Sequence, residues 1–162
     1  MKKMTTSRVG IRLIKDFEGL RLAAYKPVST EKYYTIGWGH CSPDIKPNQV
    51  ITHEQADDYL IEDISPLERH LNKLGINFRQ EQFDALVSWL FNLGVGNFKK
   101  SNLLKRIQAD ASDEAIAAEF IKWIYSGNTP LAGLKKRRVA EANMFVGYEL
   151  YYIDKNNNIK KK

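Results

Sequence analysis

The sequence predicts an α+β fold: one leading helix, a small β region, then a helical body reached through a long helix. Three patterns carry this. Between Tyr25 and Pro47 the chain combines β-forming residues with Gly and Pro and has little helical period. From Thr52 to Leu74 apolar residues recur at helical spacing behind a capping signal. From Phe83 onward, stripes of period 3.6 alternate with short turns.

Taken in order, Ser7 can cap a first helix with Val9, Leu13, Ile14 and Phe17 on one side, and Gly19 stops it. The stretch YKPVSTEKYYTIGWGHCSPDIKP then reads as a small hairpin or three-stranded sheet with irregular loops. Alternation within it puts Glu31, Tyr33 and Thr35 on one face and Lys32, Tyr34 and Ile36 on the other. Thr52 and Gln55 form a capping box ahead of Ala56, Leu60, Ile64, Leu67, Leu71 and Leu74. Pro66 lies inside that pattern and predicts a kink or two abutting helices. Unbroken, the helix would measure roughly 30 Å, enough to join two lobes.

Phe83, Leu86, Val87, Leu90 and Phe91 mark a central helix ended by Gly94, with Trp89 off the stripe. Leu103, Leu104 and Ile107 mark a short helix, and Ser112 caps another carrying Ile116, Phe120, Trp123 and Ile124. After the turn SGNTP, a last helix carries Leu131, Leu134, Ala142 and Phe145. The basic tail 151–162 is expected to be mobile. Neither an internal repeat nor a linker divides the chain, so 1–162 reads as one domain. The cleft between β region and helical body is the expected ligand site.

Composition narrows the function classes. At 162 residues and 43% hydrophobic content, wholesale disorder is excluded. Cys41 is the one cysteine, so no intramolecular disulfide can form, which fits folding in a reducing cytoplasm. Two lysines open the chain, but no apolar run of about 7–15 residues follows them, and no segment suffices to span a bilayer. Action outside the membrane would then need a separate pore-forming partner. The net charge is +6 and uneven. Residues 52–69 carry six acids against Arg69, a net of −5, which leaves the remainder near +11. Such a surface attracts polyanions: nucleic acid, anionic membranes or acidic wall polymers. Solubility alone is the competing reading.

Glu18 is the first chemical candidate. It sits at a helix C-terminus, whose partial negative charge repels a carboxylate. Burial beside Phe17 or Tyr25 would act in the same direction, and together they would favour the protonated acid. Such an acid can donate to a leaving oxygen, as glycoside hydrolysis requires. The alternative is a surface glutamate at a frayed helix end. A Thr35 hydroxyl can orient a water, or simply face solvent from a strand edge. Gly37 and Gly39 around Trp38 could admit a polymer close to the backbone, or serve the turn. His40, His53 and His70 have no metal-ligand spacing, and Cys41 beside His40 lacks the partners of a zinc site. The run Lys135–Arg138 could bind phosphates, or form a solvated helix face. Arg138 falls on the apolar stripe of the last helix and so calls for a carboxylate partner or a ligand.

The stretch FEGLRLAAYK followed by YYTIGWGH resembles the phage-type lysozymes of glycoside hydrolase family 24, the family of the T-even phage lysozyme. FDALVSWLFNLGVGNF is similar to that family's central helix and asparagine–glycine turn, and LAGLKKRRVAEANMF to its arginine-bearing last helix. The resemblance runs from about Val9 to Phe145. It implies a lysozyme-like small lobe (about 8–55), a linking helix (about 52–75) and a helical lobe (about 76–150). It also implies cleavage of the β-1,4 bond between N-acetylmuramic acid and N-acetylglucosamine in peptidoglycan. Glu18 would be the proton donor, Thr35 would stand near the attacking water, and Asn92 would contact substrate. A monomer is expected, with no metal or organic cofactor and no nucleic-acid partner. It would be made in the host cytoplasm and act on the wall. One departure stands out: the family's aspartate or cysteine nine residues after the glutamate is here Pro27, and the loop to Thr35 is two residues longer. Glu31, Ser29 or Thr30 could replace it. A single acid keeps a lytic transglycosylase open as an alternative, beside a protein that binds glycan or nucleic acid without catalysis.

Overall fold

The structure is a computed structural model that describes residues 2–162. It is α+β. Helix α1 spans Arg8–Glu18, with the Ser7 side chain accepting from the Gly10 N–H. Strands β1 (Arg21–Tyr25), β2 (Tyr34–Gly37) and β3 (His40–Ser42) form an antiparallel sheet with β2 in the middle. Helix α2 (His53–Asn72) leads away from the sheet to α3 (Gln80–Lys100), α4 (Asn102–Gln108), α5 (Asp113–Phe120) and α6 (Ala132–Val146). Two small hairpins complete it, β4–β5 (Tyr125–Ser126 with Thr129–Pro130) and β6–β7 (Tyr151–Ile153 with Ile159–Lys161).

The capping box forms as the residues dictate: Thr52 Oγ1 accepts from the Gln55 N–H at 3.1 Å, and Gln55 Oε1 accepts from the Thr52 N–H at 2.9 Å. Pro66 does not divide α2, which runs as one helix with the proline on its exposed face. There the missing N–H and the ring meet solvent rather than packed neighbours. Gly94 does interrupt α3, at φ 83° and ψ 160°, values that glycine adopts without the Cβ penalty other residues carry.

There are two cores. The larger centres on α3, whose residues Gln82 to Leu90 are all buried, Trp89 included. The stripe read from sequence was therefore too narrow, because α1, α2 and α6 all pack around this one helix. The smaller core holds Ile36, Ile45, Ile51 and Ala56 between the sheet and the start of α2. Helix α1 stands with the small lobe in chain order, yet its Ile14 is buried in the larger core. Asp84 of α3 fixes that docking: it accepts from the Ser7 N–H at 2.9 Å and from the Ser7 hydroxyl. Gly10 makes room for it, since a Cβ there would come within 2.7 Å of the Asp84 carboxyl carbon.

The tail corrects an expectation. It is an ordered hairpin, with Leu150 and Tyr151 buried against α6. Asn143 is the reason: its Oδ1 accepts from the N–H groups of Leu150 (3.0 Å) and Tyr151 (2.9 Å), and its amide donates to the Tyr151 carbonyl at 3.0 Å.

Candidate active site

Glu18 is the last residue of α1, and Gly19 closes the helix by returning its N–H to the Lys15 carbonyl at 3.0 Å. The side chain is partly exposed, at 22%. Two distant segments converge on it. From α6, Arg137 Nη1 donates to Glu18 Oε1 at 2.6 Å. From the β2–β3 turn, Gly39 abuts the other oxygen: a Cβ at this residue would stand 3.0 Å from Glu18 Oε2, and φ is 88°. Both facts require glycine there. Gly39 also lines a cavity of about 260 Å³ with Cys41, Asp63, Leu67, Leu90 and Phe91. One carboxylate oxygen is thus anchored to a cation, while the other lies against Gly39, a residue that also lines the cavity.

Arg137 is 5% exposed, and its other donors are used within the protein. Nε donates to Glu141 Oε1 at 3.2 Å and Nη2 to the Ser88 carbonyl at 3.1 Å, while the guanidinium lies 5.7 Å from the Phe17 ring. Glu141 is fully buried and serves both arginines: Oε1 also accepts from the Ser88 hydroxyl at 2.7 Å, and Oε2 accepts from Arg138 Nη1. Arg138, likewise fully buried, donates Nε to the Trp123 carbonyl at 2.9 Å and Nη2 to Asn92 Oδ1. Burial pushes the Arg138 guanidinium below its ordinary value, against the opposing pull of Glu141. Two acids and two arginines are therefore bonded into one network that joins α1, α3 and α6.

The expected carboxylate partner of Arg138 is present, as Glu141. The expected surroundings of Glu18 are different: sequence offered helix-end repulsion and aromatic burial, whereas the structure adds a direct guanidinium of opposite sign. Arg137 and Glu141 were both missed. The run Lys135–Arg138 looks like a solvated face, yet only its lysines keep that character. The readable signal was Glu141, placed four and three residues after the two arginines and so on their side of the helix.

Thr35 is buried at the centre of the sheet, paired across to Tyr25 on one side and Cys41 on the other. The alternation drawn back through Tyr33 to Glu31 does not hold, because β2 begins only at Tyr34 and residues 26–33 form a loop. Ser29 and Thr30 are exposed there and Glu31 is partly buried; among the described residues none of the three bonds to Glu18. Asn92 is exposed near the Gly94 break. Arginine only donates, so the Asn92 oxygen must face Arg138, which turns its amide N–H groups outward.

His40 has a structural role. Its Nδ1 lies 2.9 Å from Asp63 Oδ2 on α2, and its ring stacks on Tyr59 at 4.1 Å. Among the described residues, no group of three or more His, Cys, Asp or Glu side chains could hold a metal ion, and no helix is long and apolar enough to cross a membrane.

A family model described as phage lysozyme matches residues 15–141. The endolysin of Bacillus phage PZA is 48% identical over 143 residues, covering 88% of this chain and 55% of that protein. This chain spans about half the length of that relative and of the Bacillus phage B103 endolysin, of which it covers 54%. Among solved structures, the muramidase domain of SpmX from Asticaccaulis excentricus superposes with a TM-score of 0.80 at 34% identity, covering 88% of this chain and 97% of that one. The endolysin from Escherichia coli O157:H7 phage FAHEc1 also superposes with a TM-score of 0.80, at 33% identity, covering 90% of this chain and 95% of that one. With a matching family model over most of its length and relatives of this identity, the chain belongs to the phage lysozyme family.

Proposed function

We propose that this chain is a peptidoglycan hydrolase that cleaves the β-1,4 bond between N-acetylmuramic acid and N-acetylglucosamine and so lyses bacterial cell walls. The observation that carries the reading is Glu18: a carboxyl at the end of α1, with Oε1 held by Arg137 at 2.6 Å and Oε2 against Gly39, which lines the cavity between the β2–β3 turn and helices α2 and α3. The relatives named endolysin and muramidase support it.

In this mechanism the glycan lies in the cleft, and Glu18 gives a proton from Oε2 to the glycosidic oxygen as that bond breaks. The bonding pair leaves with the oxygen, and the sugar gains oxocarbenium character. The carboxylate left behind is formed beside the Arg137 guanidinium, which stabilises it. A water held by the Thr35 hydroxyl attacks the anomeric carbon through its oxygen lone pair and loses its extra proton to solvent water, while the Glu18 carboxylate takes a proton back from solvent, so that the acid is restored for the next turnover. The outward amide of Asn92 donates to substrate oxygen or carbonyl groups. The chemistry calls for no cofactor.

The test is Glu18→Gln, which keeps the shape and removes the acid. Release of new reducing ends from purified peptidoglycan should fall by about 10²–10⁴, with an unchanged far-UV CD spectrum. An unchanged rate refutes the assignment. Mass spectrometry of the products should find reducing ends; 1,6-anhydromuramyl ends would show a transglycosylase instead.

A further inference from the structure

Lys15, Asp57 and Trp38 come from three separate elements and meet at one carboxylate. Lys15 Nζ lies 2.8 Å from Asp57 Oδ1, and the Trp38 indole N–H donates to that same oxygen at 2.8 Å. The Lys15 ammonium also stands over the Trp38 ring, 5.0 Å from its centroid. Lys15 is on α1, which packs in the larger core; Trp38 is in the β2–β3 turn; Asp57 is in the first turns of α2. Trp38 packs against both hydrophobic cores. The triangle therefore spans the seam between the lobes.

It also lies next to the Glu18 carboxyl along two chains. Lys15 is three residues before Glu18 on α1, so both side chains leave the same helix face. Trp38 immediately precedes Gly39, the residue against Glu18 Oε2. The turn carries Gly37 and Gly39, both at positive φ (67° and 88°), between the paired Ile36 and His40. The bond from the Trp38 indole to Asp57 therefore acts on the residue next to Gly39.

We infer that Lys15, Asp57 and Trp38 form an interlobe latch that positions the Glu18 carboxyl against the Gly39 turn, with Asp57 as the central positioning residue. This rests on the proposed role of Glu18 as the acid. The ammonium of Lys15, more than the indole bond, holds Asp57 below the usual carboxylate range, in keeping with a charged latch at working pH. The Asp57 side chain is 39% exposed, so the ion pair adds little to folding stability. Its consequence is geometric, because a small misplacement of a reacting group costs rate far more than it costs stability.

The experiment measures kcat, KM and Tm on soluble peptidoglycan fragments for Asp57→Ala, Asp57→Asn, Lys15→Met and Lys15→Arg. Asp57→Ala and Lys15→Met should each lower kcat about tenfold, with KM within about twofold and Tm down by less than about 4 °C. Lys15→Arg, which keeps the cation, should recover most of kcat, and the double variant Asp57→Ala/Lys15→Met should be no slower than either single one. Asp57→Asn, which keeps an acceptor for Trp38, should lose less than Asp57→Ala. If Asp57→Ala does not fold, Asp57→Asn and the two Lys15 variants decide the matter alone. Unchanged kcat, a rise in KM alone, or a loss of kcat that simply follows loss of folded protein would overturn the latch. If Glu18→Gln stays active, the functional reading fails; if it is inactive while the latch variants keep full kcat, only the latch fails.

Discussion

Replacing Glu141 with Gln should destabilise the fold by about 3–5 kcal/mol, the cost of stranding buried charge. Glu141 is fully buried, and both oxygens are used: Oε1 accepts from Ser88 and Arg137, Oε2 from Arg138. Glutamine keeps one acceptor and turns an N–H₂ donor toward guanidinium or hydroxyl donors, so at least one bond becomes a donor–donor clash. The larger loss is charge: Arg137 and Arg138 stay buried without the one carboxylate that bonds to both. For a domain of this size each kcal/mol shifts Tm by about 2–4 °C, so Tm should fall by roughly 6–20 °C. Urea unfolding at pH 7 followed by CD measures the same loss as a lower midpoint at unchanged slope. The double variant Arg138→Met/Glu141→Leu removes charges of both signs together and should regain part of that loss. A Tm shift under about 2 °C for Glu141→Gln would refute the claim that charge balance holds α3, α6 and Glu18 together.

Asn143→Ala removes the three hydrogen bonds that seat the C-terminal hairpin, so it should cost about 2–3 kcal/mol and speed amide exchange at Leu150 and Tyr151; unchanged exchange there would contradict the ordered tail. His70 should make the fold acid-sensitive. Its Nε2 is buried without a partner among the described residues, and desolvation, then Lys99 and Lys73, push its pKa below the ordinary 6.5. The unfolded chain therefore binds the proton more tightly, so stability falls as pH drops below about 6.5 and levels off below the folded pKa. His70→Phe should flatten that part of the stability–pH curve, and an identical curve in the variant refutes it. Lysis of intact walls should weaken as ionic strength rises from about 0.01 to 0.15 M, since long-range attraction of a +6 protein is screened; a flat profile would remove the charge from that role.

Local signals were legible wherever one segment settles its own conformation. Ser7, Thr52 with Gln55, and Ser112 cap helices where a short polar side chain precedes an apolar stripe. Gly94 breaks α3 for the same local reason. Arg138 announced a buried partner by standing on an apolar face. Local signals misled where surroundings decide. Trp89 looked peripheral because periodicity records one buried side, whereas three helices enclose α3. The tail looked mobile because its composition is polar, but one asparagine on α6 supplies the bonds that order it.

By itself the sequence determined the α+β order, the capped helix starts and the family resemblance, and it singled out Glu18 as a candidate, because these depend on residues close together in the chain or on motif strings; it ran the fifth helix on to Ile124, whereas α5 stops at Phe120, and it set Leu131 inside the last helix, whereas Leu131 is the cap before α6. The tertiary structure alone decided what Glu18 touches. Arg137 lies 119 residues away along the chain and Gly39 lies in the turn between β2 and β3, and no periodicity encodes either contact. Only packing of α1 and α6 on α3, with the sheet folded back over the helix end, brings that cation and that turn to the two oxygens of one carboxyl.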